Sequence, residues 1–196
     1  GYSMDLSFEA LASSFMLSGT IVTILGAILT KWFAKKFDKK NTYAGFLTLS
    51  AITITLFYFL KPENIILIYL LNLVFSFSFG PVSVLQWAMY TDAADYSEWK
   101  NKRRATGLIM AASLFALKVG LTLGGAIVGW SLALFGFVAN QAQTQETLNG
   151  IIMLMSIIPA VFGFIGGALM FFYPLTNKMM VKIEEELISR RTEQTV

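Results

Sequence analysis

Long runs of uncharged, mostly apolar residues constrain the fold of this chain more than any other feature. Six such runs occupy most of its 196 residues: 10–30, 41–60, 64–91, 105–117, 119–145 and 147–177. A helix needs about 20 predominantly apolar residues to cross the roughly 30 Å hydrocarbon core of a bilayer. The runs therefore predict an all-α integral membrane protein.

Composition narrows the class of protein further. Hydrophobic residues make up 56% of the chain and charged residues 14%, whereas a soluble domain carries about a quarter charged residues. Cysteine and histidine are absent, which excludes disulfides, thiolate nucleophiles, imidazole bases and the usual zinc or haem ligands. We therefore expect no enzyme, no metal site and no nucleic-acid partner.

The apolar runs divide into five predicted membrane crossings followed by a short tail. The crossings form one transmembrane bundle, residues 1–177, and the tail of residues 178–196 has the pattern of an amphipathic helix at the membrane surface, with Glu184–Glu186 on a solvated face. The predicted crossings are 10–30, 43–60, 65–90, 105–137 and 148–175.

Basic residues collect on one side of these crossings. Residues 31–40 hold five Lys or Arg, residues 92–104 hold four and the tail holds four, whereas the opposite loops hold only Lys61. Cytoplasmic loops carry the excess of Lys and Arg. We therefore expect the N-terminus outside and the C-terminus in the cytoplasm.

Lys118 is a single cation inside the fourth crossing. It lies fourteen residues after Arg104, or about 21 Å along a helix, which places it near the bilayer midplane. An ionised side chain there costs about 2.5–3.5 kcal/mol, and no acidic residue of this chain is expected at that depth. Lys118 is thus predicted to face a substrate cavity; a lysine tolerated through helix tilt is the alternative.

The segment 92–104 is a second candidate site, because it packs seven charges into thirteen residues. Asp92, Asp95 and Glu98 fall on one helical face, and Lys100 and Arg103–Arg104 follow. We interpret Asp92, Asp95 and Arg104 as part of a cytoplasmic gate of ion pairs. A solvated charge cluster is the alternative.

The third crossing carries two further features. Gln86, Trp87 and Tyr90 are side chains that stack on sugar rings and bind hydroxyls, although Trp and Tyr are also common at membrane interfaces. Asn72, Ser76, Ser78 and Ser83 add a polar side that suggests a cavity wall. Gly80 and Pro81 are the best hinge candidate, with ordinary helix packing as the alternative.

Three ordered motifs resemble one transporter family: Asp92-x-x-Asp95-Tyr96-x-Glu98-Trp99-Lys100, Arg103-Arg104-x-Thr106-Gly107 and Phe115-Ala-Leu-Lys118-Val-Gly120. They are similar to the glycoside–pentoside–hexuronide:cation symporters of the major facilitator superfamily, which include melibiose permease. The resemblance implies two six-helix bundles, of which this chain supplies the eighth to twelfth helices, the C-terminal part.

The resemblance also implies roles for single residues. Lys118 matches a lysine that faces the central cavity, and Asp92, Asp95 and Arg104 match the cytoplasmic gate. The coupling cation, Na⁺ or H⁺, is expected mainly on an N-terminal six-helix bundle that, with the seventh helix, is absent from this chain. Ser83 stands where melibiose permease has an aromatic residue, so the sugar preference of that protein does not transfer.

The leading expectation is therefore symport of a sugar or glycoside by alternating access in a bacterial inner membrane. The chain begins with Gly1 and has an odd number of crossings, which favours a piece of a larger transporter in which Gly1–Glu9 is an outer loop. The alternatives are a five-helix membrane scaffold or sensor, and a lysolipid-type carrier of the same fold.

Overall fold

The computed structural model of the chain describes residues 8–103 and 105–193, and these form a bundle of helices. Arg104, which was predicted as a gate residue, and residues 1–7 of the predicted outer loop lie outside this range. The helices are α1 (Phe8–Phe37), α2 (Lys39–Phe57), α3 (Ile65–Asn101), α4 (Thr106–Leu134), α5 (Gln145–Met155), α6 (Ile157–Leu169) and α7 (Asn177–Glu193), with a 3₁₀ turn at Met170–Phe172.

Within the described residues, four helical segments are long and apolar enough to cross a membrane: Glu9–Phe37, Ile65–Asn101, Thr106–Leu134 and Gln145–Phe172. They correspond to four of the five predicted crossings. The remaining prediction, 43–60, corresponds to α2, which is less apolar because it begins with two lysines and contains several Thr and Ser residues.

Helix α2 is nevertheless packed within the bundle. Its 19 residues extend about 28 Å, and it packs antiparallel to α3 and against α6. Thr53 and Thr55 donate hydrogen bonds to the carbonyls of Leu49 and Ala51, so their hydroxyls are satisfied within the helix. The hydroxyls of Thr42 and Ser50 in the same helix are buried and have no hydrogen-bond partner among the described residues.

The last apolar segment is broken between α5 and α6. The break falls at Ser156, three residues before Pro159. Proline has no backbone N–H, and its ring clashes with the carbonyl four residues earlier, which here belongs to Met155. The bend expected from Pro159 is thus centred one turn before the proline.

Helix α3 is the centre of the bundle, and its crossing with α1 depends on glycine. A Cβ on Gly80 would lie 2.6 Å from the backbone nitrogen of Ala27 and would also collide with the carbonyl of Thr23. A Cβ on Gly26 would collide with the carbonyl of Phe77. Gly80 and Pro81 are buried at this crossing within one continuous helix. Both residues therefore belong to the packed contact between α1 and α3. Their role as a hinge stays a prediction.

The tail helix α7 packs on the protein rather than lying only at a surface. Leu175, Met180, Ile183 and Leu187 form a buried cluster against Tyr96 and Trp99 near the end of α3. Trp99 Nε1 donates to Glu186 Oε2 at 2.6 Å, so the expectation that Glu184–Glu186 is simply a solvated face is wrong for Glu186. The indole nitrogen needs a partner in this partly buried cluster, and the carboxylate supplies it.

Replacing Gly80 with Ala tests the α1–α3 crossing. We expect the added methyl group to lower stability by about 1–3 kcal/mol, the usual cost of overpacking, seen as a lower melting temperature in detergent. Gly45→Ala in α2 is the matched control, because a Cβ there has open space and Ala favours a helix. Equal melting temperatures for the two variants would contradict the close crossing.

Candidate functional site

One face of α3 carries the polar and aromatic candidates. Ser83, Gln86, Trp87 and Tyr90 follow the spacing i, i+3, i+4 and i+7, which places them in one stripe on a helix. Together with Ser113 and Leu117 of α4 they line a cleft of about 140 Å³. The structure thus brings the three predicted residues Gln86, Trp87 and Tyr90 into one site.

The side chains of this stripe are organised by two local contacts. Gln86 Nε2 donates to the Tyr90 hydroxyl at 2.7 Å, and the rings of Trp87 and Tyr90 meet edge to face with centroids 5.7 Å apart. Trp87 remains half exposed. An open indole beside amide and hydroxyl groups can stack on the apolar face of a ring and bind hydroxyls at its edge.

The α4 wall of the cleft was not identified from the sequence. Ser113 and Leu117 are one helical turn apart, and Ser113 Oγ donates to the carbonyl of Ile109 at 2.9 Å. A serine in an apolar helix carries no distinctive signal, because hydroxyls of this kind often satisfy themselves on their own backbone. Only the approach of α4 to α3 makes Ser113 a candidate.

The size of the cleft limits what it holds in this conformation. Small-molecule sites usually enclose about 300–1,000 Å³, so 140 Å³ accommodates only part of a sugar. The cleft is therefore best regarded as one wall of a site that is completed by other groups or by movement of α4.

Lys118 follows Leu117 in the sequence but is not among the residues that line the cleft in this conformation. It is exposed, and the part of the chain that the structure describes offers it no ion pair. Helix α4 begins at Thr106, so Lys118 lies about 18 Å along it. Its neighbours Phe115 and Leu121 are also exposed, both at 70%. A cation on such an apolar surface requires water, substrate or another chain segment around it.

The polar residues in the first half of α3 make contacts inside the bundle. Ser76 and Ser78 are buried, and Ser78 Oγ donates to the carbonyl of Val74 at 2.8 Å. Asn72 Nδ2 donates to the carbonyl of Phe15 in α1 at 2.9 Å. Asn72 and Ser76 lie against Gly19 of α1, whereas Ser78 bonds within its own helix. These three are not among the residues that line the cleft with Ser83, although Asn72 lines the second cavity described next.

A second cavity of about 360 Å³ lies beside the first half of α3. Its wall is mainly apolar, and the amide of Asn72 and the hydroxyl of Ser156 are already bonded to backbone carbonyls. It therefore offers few groups that could recognise a polar ligand. The lining residues are Phe15, Ile54, Phe57, Asn72, Phe75, Ile152, Met155 and Ser156.

Asp92 ends the buried face of α3, opposite the cleft. The buried residues Ser78, Val82, Leu85, Met89 and Asp92 recur at alternating spacings of four and three. The Asp92 carboxylate lies 2.7 and 2.8 Å from Lys39 Nζ at the start of α2. The pair is enclosed, since the side chains are 9% and 28% exposed.

This pair corrects the expected arrangement of the gate. The sequence interpretation paired the acids with Lys100, Arg103 and Arg104, but Asp92 binds Lys39 instead. Lys100 Nζ lies 5.7 Å from the centroid of the Tyr96 ring. Asp95 is partly buried on the same stretch of α3, and Arg104 lies outside the described residues. Asp92 therefore belongs to an enclosed ion pair within this bundle.

The turn that presents Lys39 has an unusual backbone. Asp38 has φ 72° and ψ 149°, a conformation that glycine adopts and other residues rarely do. Such strain costs about 1–3 kcal/mol and persists only where surrounding contacts impose it. Here the Asp38 carboxylate accepts hydrogen bonds from the backbone N–H groups of Lys40 at 3.3 Å and Asn177 at 2.9 Å.

Tyr173 lies beside this cluster, after the last apolar segment. Its hydroxyl is buried and has no hydrogen-bond partner among the described residues. Burial raises the pKa of this phenol, and the negative charges of Asp92 and Asp38 raise it further. The hydroxyl therefore remains protonated and is available as a donor near the two carboxylates.

Comparison with known proteins places this geometry in a family. A sequence model described as "MFS/sugar transport protein" matches residues 5–177. The chain belongs to this MFS sugar transport family. Among curated relatives, the putative glycoside/cation symporter YagG of Escherichia coli (strain K12) is 34% identical over 98% of this chain and 42% of its own length.

Two further relatives extend the comparison. The isoprimeverose transporter of Lactiplantibacillus pentosus is 35% identical over 91% of this chain and 38% of its own length. A putative 2,3-dihydroxypropane-1-sulfonate exporter of Escherichia coli (strain K12) is 32% identical over 85% and 36%. The chain thus spans about two fifths of the length of these relatives, and the family is one of transporters rather than enzymes.

Replacing Lys39 with Gln tests the buried pair. Removal of one partner leaves the Asp92 charge uncompensated, which costs about 3–5 kcal/mol in a fully buried pair. Because Lys39 is partly exposed, we expect about 1–3 kcal/mol of lost stability, measured by thermal unfolding in detergent. Lys35→Gln on the exposed end of α1 is the control, and an equal loss in both variants would contradict the pair.

Proposed function

We propose that this chain is the C-terminal part of a secondary transporter that moves a sugar or glycoside together with Na⁺ or H⁺. The single observation that carries the proposal is Lys118, an exposed cation on an apolar helix, directly after Leu117 of a cleft lined by Gln86, Trp87 and Tyr90. The family match supports the same function.

The open surface of α4 supports the presence of a facing bundle in the complete transporter. No described residue of α4 is fully buried, and a Cβ on Gly120, Gly124 or Gly125 would meet nothing within 4 Å. An apolar helix with a row of small residues packs well against other helices. A facing N-terminal bundle would enclose Lys118, enlarge the cleft and supply the carboxylates for the coupling cation.

In this proposal the sugar ring stacks on Trp87, and its hydroxyls bond to Gln86, Tyr90 and the serines of the cleft. Lys118 adjusts the charge of the cavity as the cation enters and leaves. Rocking of one bundle against the other around this site then gives alternating access. Because stacking and hydroxyl recognition tolerate many sugars, substrate choice depends on the remaining walls.

The Lys39–Asp92 pair acts in this proposal as a lock at the inner end of the bundle. It joins the α1–α2 turn to α3 in one conformation, and its release lets the end of α3 move. The three basic segments meet at this end of the structure through Lys39–Asp92 and through contacts of α7. This supports a common cytoplasmic side in a bacterial inner membrane, with the C-terminus inside.

Lys118→Ala in the complete transporter is expected to abolish uphill uptake, because the cavity loses its only cation from α4. The measurement is uptake of radiolabelled glycosides, neutral and anionic, into proteoliposomes with and without Na⁺ and proton gradients. Lys61→Ala, in the opposite loop, is the matched control. Normal concentrative uptake by Lys118→Ala would contradict the proposal.

The same vesicles separate the alternatives. Counterflow of a glycoside by the wild-type protein supports the transporter. Movement of lysolipid without glycoside counterflow would favour a lipid carrier. Absence of both, in a protein that is folded and inserted, would favour the scaffold or sensor.

A further inference from the structure

The first residue of the tail helix contacts the strained turn at three points. The backbone N–H of Asn177 donates to Asp38 Oδ2 at 2.9 Å. Its side-chain Nδ2 donates to the carbonyl of Ala34 at 2.9 Å, and its Oδ1 accepts from the backbone N–H of Lys39 at 3.4 Å. The Asn177 side chain therefore bonds to backbone groups before and after Asp38, the residue whose φ is 72°.

We propose that Asn177 is a positioning residue that keeps the backbone of Asp38 in its positive-φ conformation and so holds Lys39 in line with Asp92, so that the C-terminal helix controls the inner lock. The inference rests on the proposed function of the Lys39–Asp92 pair. Asn177 is not assigned to substrate or cation. It acts through the backbone that carries Lys39.

The physical reason is the conformation of Asp38. A residue with a Cβ leaves the positive-φ region unless its surroundings prevent it. The Asn177 side chain bonds to the backbone before and after Asp38, and the Asp38 carboxylate bonds to α7 in return. If these bonds break, the turn relaxes, and Lys39 is carried away from the carboxylate of Asp92.

Helix α7 also bonds to α3, the helix that carries Asp92. Arg190 Nη1 donates to the carbonyl of Trp99 at 3.1 Å, and Glu186 accepts from the Trp99 indole at 2.6 Å. Helix α7 is thus bonded at its start to the turn that carries Lys39 and, three turns on, to the end of the helix that carries Asp92. Docking of α7 and closure of the lock are therefore coupled.

The test measures opening of the cytoplasmic side in the complete transporter. The described chain contains no cysteine, so Ser113→Cys in the cleft can report access, against a cysteine-free background. Inside-out vesicles are treated with a membrane-impermeant maleimide, and the alkylation rate is recorded. Lys39→Gln and Asn177→Ala should each raise this rate by about fivefold or more, as expected for a shift between two conformations.

Two double variants separate positioning from a general structural role. Lys39→Gln with Asn177→Ala should react at the rate of Lys39→Gln alone, because Asn177 acts through Lys39. Asp38→Gly with Asn177→Ala should return towards the wild-type rate, because glycine adopts the turn without strain. Asn101→Ala, an exposed asparagine at the same end, is the control and should react like wild type.

The outcomes distinguish the Lys39–Asp92 lock from the positioning role of Asn177. If Lys39→Gln raises the rate and Asn177→Ala does not, the lock stands and the positioning role is overturned. Additive effects of the two substitutions would also overturn it. If Lys39→Gln leaves the rate unchanged, the lock itself is wrong, and the positioning role is overturned with it.

Discussion

The buried pair between Lys39 and Asp92 is the interaction on which the α1–α2 turn and the end of α3 depend. A carboxylate that is 9% exposed is costly to bury without a partner, and its partner comes from a turn between two helices rather than from its own helix. The pair therefore fixes the relative positions of α1, α2 and α3. The strained residue Asp38 lies next to Lys39 and is held by the hydrogen bonds of Asn177.

Helix α3 connects the Lys39–Asp92 pair to the cleft, because one of its faces carries Asp92 and another carries the cleft residues. The buried face ends at Asp92, whereas the opposite face presents Ser83, Gln86, Trp87 and Tyr90 to α4. The close glycine crossing with α1 keeps the middle of the helix in place. A displacement of the end of α3 that carries Asp92 would therefore change the shape of the cleft. This is a physical route from the Lys39–Asp92 pair to the cleft.

Much of this arrangement could be predicted from the sequence, because apolar run length fixes the helices and Lys118 is conspicuous among them. The stripe of Gln86, Trp87 and Tyr90 was also accessible from spacing. The partner of Asp92 was not, since five lysines occur in residues 31–40 and only the turn geometry selects Lys39. Ser113 and Glu186 were missed for a similar reason: their roles depend on which helices pack together, and isolated hydroxyls and surface acids carry no such information.

We propose that substrate binds in the cleft between α3 and α4, and that Lys118 of α4 joins this site in the complete transporter. The most direct measurement is substrate protection of a cysteine in place of Ser113, with a cysteine in place of Ser131 as the control on the same helix. A transported glycoside at saturating concentration should slow alkylation at position 113 by about tenfold or more, as for a site largely occupied by ligand, and leave position 131 unaffected. Equal alkylation rates at position 113 with and without a glycoside that is transported would contradict the account.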